Sequence, residues 1–286
     1  MKRLLPLLIV AAIMSGCAGT SNDIRDIIES AAYSIDLPAE RLNLVLGVAA
    51  GPYGDMFMES ITPALATKGY TVNVVVYNDF IQPNMALANN EIDLNMFQHT
   101  QYLNNFKLEH DLDLSAIAEI PTVSMGVFSD IYANLDEIET GAVVAIPDDA
   151  TNLARALRVL ESAGVITLDP QIDKSRATEN DISRNQRGLV FVKVPATELV
   201  EALSDNDMAV VNGNFAFAGG LDIAGALYNE VLQEGYINVI AVRTEDLPRQ
   251  FVRDIIDIIN SQGFRDFITE PGGKFNGFQR PRYMLT

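Results

Sequence analysis

The stretch 77–102, YNDFIQPNMALANNEIDLNMFQHTQY, decides the fold. It holds a strand end, a Pro83-Asn84 turn into a helix, a second strand and the opening of another helix. The run leading into it, 71–77 (TVNVVVY), is apolar and β-branched. Such a run predicts a parallel strand covered on both faces. A second strand is expected over 92–97. After it, His99, Tyr102, Leu103 and Phe106 fall at i, i+3, i+4 and i+7, on one side of a helix. His99 and Tyr102 therefore stand on a first helical turn, at the carboxyl end of a strand. In open α/β sheets ligands bind there.

Outward from this anchor the pattern stays α/β. A strand over 44–49 runs into Gly51-Pro52-Tyr53-Gly54, then a helix reaches Lys68 with Gly69 as its stop. Residues 114–120 read as a further strand. Strands 125–129 and 237–242 flank a second set of elements. That set comprises strand 142–146, helix 151–163 stopped by Gly164, strand 189–194, a helix after Pro195, and a short strand 208–211 ending at Asn212-Gly213. Helices near 246–261 and 263–269 precede a Gly/Pro-rich tail. Alternating strands and helices predict parallel sheets. Because parts of the first set bracket the second, the expected fold is α/β with two lobes and a cleft between them. Residues 44–123 with 238–286 form lobe 1, and 124–237 form lobe 2.

The chain has 286 residues and a formal charge of −18. So acidic a surface repels phosphate backbones and argues against nucleic acid as a partner. Lys2-Arg3, the apolar run Leu4–Met14 and then Ser15-Gly16-Cys17 predict a signal peptide over 1–16. The run is too short to span a bilayer, which takes about 20 residues. The small pair before Cys17 resembles a bacterial lipobox, with Met14 where leucine is usual. Lipidation of Cys17 is expected, which places the protein on the cell envelope, facing the periplasm or the exterior. Residues 17–43 then form a tether with a short amphipathic helix, Ile24, Ile27, Ile28, Ala31 and Ile35 marking its face before Pro38. Cys17 is the sole cysteine, so the body has no thiol for a disulfide, a metal or nucleophilic catalysis.

Helix 151–163 has a core stripe of Leu153, Ala156, Leu157 and Leu160, with Asn152 and Arg155 on another side. An arginine fork beside a helix start suits a carboxylate ligand. It is equally compatible with a solvated arginine paired to Asp148 or Asp149. Arg158, one turn on beside Glu161, reads as a surface residue. His99, at a helix N-terminus, is expected to stay neutral and to serve either as a ligand group or as a satisfied core histidine. Phe80, Phe97 and Tyr102 line a pocket or fill a core. Asn212 and Asn238 offer amide oxygens to an ammonium group, or act as turn residues. Nucleophile-elbow, P-loop, dinucleotide and H-E-x-x-H motifs are absent, and His99 and His110 are the only histidines. The sequence favours binding over turnover, with neither metal nor cofactor.

Six strings in order carry a resemblance: NDFIQPNMAL (78–87), EIDLNMFQHTQYL (91–103), GAVVAIPDDATNLARAL (141–157), NDISRN (180–185), MAVVNGNFA (208–216) and YINVIAVR (236–243). Together they resemble the NlpA/MetQ-type methionine-binding lipoproteins of ABC importers. The resemblance implies a two-lobed periplasmic binding protein that closes on its ligand and hands it to an ABC permease and its ATPase. It also implies that Arg155 holds a carboxylate, that Asn212 and Asn238 bind polar main-chain atoms of an amino acid, and that Phe97, His99, Tyr102 and Asn152 complete the pocket. Phe80 stands where the family often has tyrosine, Ser124 replaces a common proline, Phe128 a common tyrosine, and Gln186 a usual proline. The altered aromatic widens the expected ligand from methionine to another amino acid or a methionine-containing dipeptide. An enzyme on the same fold is the competing class.

Overall fold

The computed structural model describes residues 41–285. The expected signal peptide, Cys17 and helix 24–35 lie outside the described residues. Two five-stranded sheets organise the rest. In chain order the first set is β1 (Asn43–Ala49), α1 (Tyr53–Met56), a π-turn (Phe57–Ile61), α2 (Thr62–Thr67), β2 (Thr71–Tyr77), α3 (Gln82–Ala88), β3 (Leu94–His99), α4 (Thr100–His110) and β4 (Leu114–Glu119). The second set is β5 (Gly126–Phe128), β6 (Val143–Pro147), α5 (Ala150–Ser162), β7 (Thr167–Leu168), β8 (Ile182–Arg184), β9 (Val190–Val194), β10 (Met208–Val211), α6 (Gly213–Ala218) and β11 (Tyr228–Asn229). The chain then returns through β12 (Asn238–Arg243), α7 (Gln250–Ile259) and α8 (Gln262–Thr269).

The first sheet has the order β2-β1-β3-β12-β4 and the second β11-β5-β10-β6-β9. Alternation along the strands gives each sheet two buried faces. On the first, Leu44, Leu46, Val48, Met96, Ile240 and Val242 meet Phe57, Phe251 and Ile255. Its other face takes Leu87, Leu103, Val239 and Ala241. On the second, Val144, Ile146 and Val210 meet Leu153 and Leu157 of α5. Ala145, Ala209 and Val211 pack on Leu199 and Phe215. Each such fully buried aliphatic or aromatic side chain stabilises the lobe by about 1.5–3 kcal/mol.

The chain crosses between sheets after β4 and back before β12. Its tail binds both crossings. Phe275 and Phe278 enter the first core, and Gln279 exchanges backbone hydrogen bonds of 2.8 and 2.9 Å with Thr122. The Gln279 side chain donates to Ser124 Oγ and the Glu230 carbonyl, and accepts from Leu232 N–H at 2.8 Å.

Three expectations are corrected. Both sheets are mixed: β12 runs antiparallel to β3 and β4, and β5 antiparallel to β10. A strand returning from the other lobe enters from the opposite end, which local pattern does not reveal. β2 is parallel to β1 but lies at the sheet edge, half-exposed, with Val76 60% exposed. β-branched side chains favour extended backbone whether or not both faces are covered, so composition overstated burial. After Pro195 stand two 3-10 turns, Ala196–Glu198 and Glu201–Ser204, in place of a helix. The final helices start at Gln250 and Gln262, after a 3-10 turn over Thr244–Asp246.

Candidate functional site

Where the lobes meet, a cavity is lined by all eight residues singled out in the sequence. Phe80, Phe97, His99, Tyr102 and Asn238 reach it from the first sheet's side, and Asn152, Arg155 and Asn212 from the second's. The backbone explains why. His99 is the last residue of β3 and the N-cap of α4, its Nδ1 accepting the Tyr102 N–H at 3.1 Å. Asn212 follows β10, at the start of α6, and Asn238 opens β12 opposite His99. Asp149 caps α5 by accepting the Asn152 N–H at 2.9 Å, which turns Asn152 and Arg155 towards the cavity.

The polar groups form a chain. Asn152 Nδ2 donates to both Asp149 oxygens at 3.1 Å. Its Oδ1 accepts from Asn212 Nδ2 at 2.9 Å and faces His99 Nε2 at 3.4 Å. Because Nδ1 accepts, the neutral His99 ring carries its proton on Nε2. Burial, then the Arg155 charge, hold the His99 pKa well below its ordinary 6.5, so the ring is neutral. Asn is a favoured helix-capping type, yet Asn212 makes no side-chain cap. Its amide is committed to Asn152, and its buried Oδ1 has no hydrogen-bond partner among the described residues. Asn238 Nδ2 donates to the Phe97 carbonyl at 3.2 Å.

At the apolar end, Phe80 stacks on Phe97 with centroids 5.8 Å apart, and meets Tyr102 edge-on at 5.8 Å. Across the cleft Phe80 also stacks on Phe215 at 5.1 Å. Further contacts join the lobes: Asn105 Nδ2 donates to Thr151 Oγ1 at 3.0 Å and Asn214 Nδ2 to the Ala50 carbonyl at 2.9 Å. The described arrangement is therefore a closed one.

Arg155 is 4% exposed and pairs with neither Asp148 nor Asp149. Its partner is Glu230, which accepts from Nε at 2.9 Å and from Nη2 at 2.6 Å. Burial opposes the Arg155 charge, but attraction to Glu230 outweighs it and raises the pKa further. Sequence reasoning missed Glu230, one of 38 acidic residues and without a motif around it. It also missed Tyr236, whose ring lies 4.9 Å from that of His99 and 5.5 Å from the Arg155 guanidinium carbon. Arg158, expected at the surface, covers the Tyr236 ring at 4.8 Å. Tyr53 also lines the cavity, and only its place in the Gly-Pro-Tyr-Gly turn after β1 hinted at it. Among the described residues no cluster of His, Cys, Asp and Glu is suited to a metal.

The NlpA lipoprotein family profile matches residues 44–282. The methionine-binding lipoprotein MetQ of Bacillus subtilis is 30% identical over 281 residues, covering 96% of each chain. A nutrient-binding protein from Burkholderia cenocepacia, solved bound to methionine, superposes with a TM-score of 0.76 at 32% identity, covering 82% of this chain and 97% of that one. A periplasmic substrate-binding protein of an ABC transporter from Coxiella burnetii gives 0.76 at 31% identity, over 83% and 100%. The fold is thus the two-lobed one of periplasmic substrate-binding proteins. With the family pattern spanning both lobes, the chain belongs to the NlpA lipoprotein family.

Proposed function

We propose that this protein is the solute-binding lipoprotein of an ABC importer, capturing methionine between its lobes and delivering it to a membrane permease with its ATPase. One observation carries the reading. One cavity combines a buried guanidinium, an unpartnered amide oxygen and an aromatic box. Arg155 takes the carboxylate, Asn212 Oδ1 takes the ammonium with Asn238 beside it, and His99 and Asn152 hold that amide in place. Phe80, Phe97 and Tyr102 enclose the side chain, where a thioether gains from contact with ring edges.

Binding works by differential affinity: a ligand touching both lobes stabilises the closed state, and the permease reads closure. The groups present hold charge and hydrogen bonds, with no nucleophile paired to a base, so we assign the protein no enzymatic role. Residues 44–123 with 238–285 and residues 124–237 are the two moving bodies. Lipidation of Cys17 anchors them to the envelope membrane; no helix among the described residues is long and apolar enough to cross one. Calorimetry with L- and D-methionine on the purified protein tests the assignment. Saturable binding of either is expected, and no heat with either at millimolar concentration refutes it.

A further inference from the structure

Glu230 is buried and held in place from two directions. Its Oε2 accepts the Met125 N–H at 3.2 Å, and the carboxylate takes the Nε–Nη2 edge of the Arg155 fork. That leaves the Nη1–Nη2 edge for a ligand carboxylate. More important is the charge. Arg155 is the one cation lining the cavity among the described residues, and Glu230 cancels it. His99 is neutral, and the other lining groups are amides, hydroxyls, apolar side chains and a glycine. Asp149, behind Asn152, has a carboxyl whose pKa burial raises, so it supplies no positive balance. The wall therefore carries no net positive charge, although it contains an arginine.

A low-dielectric cavity penalises any guest whose charge the wall does not balance. We propose that Glu230 is a specificity-determining residue: by neutralising Arg155 it makes the cavity accept a zwitterion and reject the corresponding net anion. The inference rests on the carboxylate assignment above and adds the ligand's charge class to it. Discrimination of this kind comes from the element set against the wrong guest.

The test titrates wild type and Glu230→Gln with L-methionine and with 4-(methylthio)butanoate, the same molecule without its amino group. The quantity read is the ratio of the two affinities. In Glu230→Gln the wall gains one uncompensated positive charge, so the ratio falls by about tenfold or more in favour of the anion. Glu230→Asp keeps the charge, and its ratio stays within about threefold of wild type even where affinity drops. A purely structural Glu230 would weaken both ligands together, and an unchanged ratio in the Gln variant overturns the proposal. Should the Gln variant fail to fold, Glu230→Ala is read by the same ratio, where a shift of about tenfold towards the anion supports the proposal and an unchanged ratio overturns it. A shift of about tenfold in the Asp variant overturns it as well. Failure of wild type to bind methionine removes the assignment beneath it, which is a distinguishable result.

Discussion

Asn212 donates its side-chain N–H to Asn152 Oδ1 at 2.9 Å, and that bond decides where the Asn212 oxygen points. The amide is planar, so committing Nδ2 to one lobe wall turns Oδ1 away from it. The oxygen is buried and has no partner among the described residues. A buried acceptor without a partner costs about 1–3 kcal/mol, a cost that an ammonium group removes.

Replacing Asn212 with leucine is therefore expected to weaken ligand binding by about 1.5–3 kcal/mol, the worth of a hydrogen bond to a charged group. The unliganded protein should lose much less, because the wild-type oxygen is unsatisfied there. Calorimetry beside thermal unfolding separates the two quantities.

Gly51 has φ +138, and a Cβ there would sit 2.7 Å from Asn214 Cβ, which belongs to the other lobe. Gly51→Ala thus adds backbone strain of about 1–3 kcal/mol and a clash present only when the lobes meet. Ligand affinity should fall about tenfold or more, 1.4 kcal/mol being one factor of ten. Small-angle scattering with saturating ligand should show a more open particle than wild type.

The His99 pKa lies well below its ordinary 6.5 in the folded protein, chiefly through burial. Below pH 6.5 the unfolded chain takes up a proton that the folded ring refuses, so stability falls as pH falls towards the folded value. This contribution has a slope approaching about 1.4 kcal/mol per pH unit for one proton. Urea unfolding from pH 7 to 5 should show a shallower decline in His99→Asn than in wild type.

Gln279 ties the two interlobe crossings together through Ser124, Glu230 and Leu232. Gln279→Ala leaves the Glu230 carbonyl and Leu232 N–H without that partner, which is expected to cost about 1–3 kcal/mol. Because the Glu230 side chain holds Arg155, ligand affinity should drop as well. Chemical denaturation and calorimetry measure both effects.

The sequence by itself determined the α/β class, the two sets of elements, the strand-end placement of His99, Asn212 and Asn238, and the place of Asn152 and Arg155 at a helix start. These are local properties: apolar period, helix caps and Gly stops are written within a dozen residues of each site group. All eight residues marked from the sequence line one cavity. Only tertiary structure decided the rest. The direction of β12, the edge position of β2 and the turns after Pro195 depend on which element arrives alongside, a long-range fact that local pattern does not encode. The partner of Arg155 is the sharpest case: Asp148 and Asp149 are near in sequence, whereas Glu230 is 75 residues away. The helix start already claims Asp149 as a cap, and folding brings the returning crossing to the guanidinium. A buried arginine pairs with whichever carboxylate the packing delivers in bidentate reach.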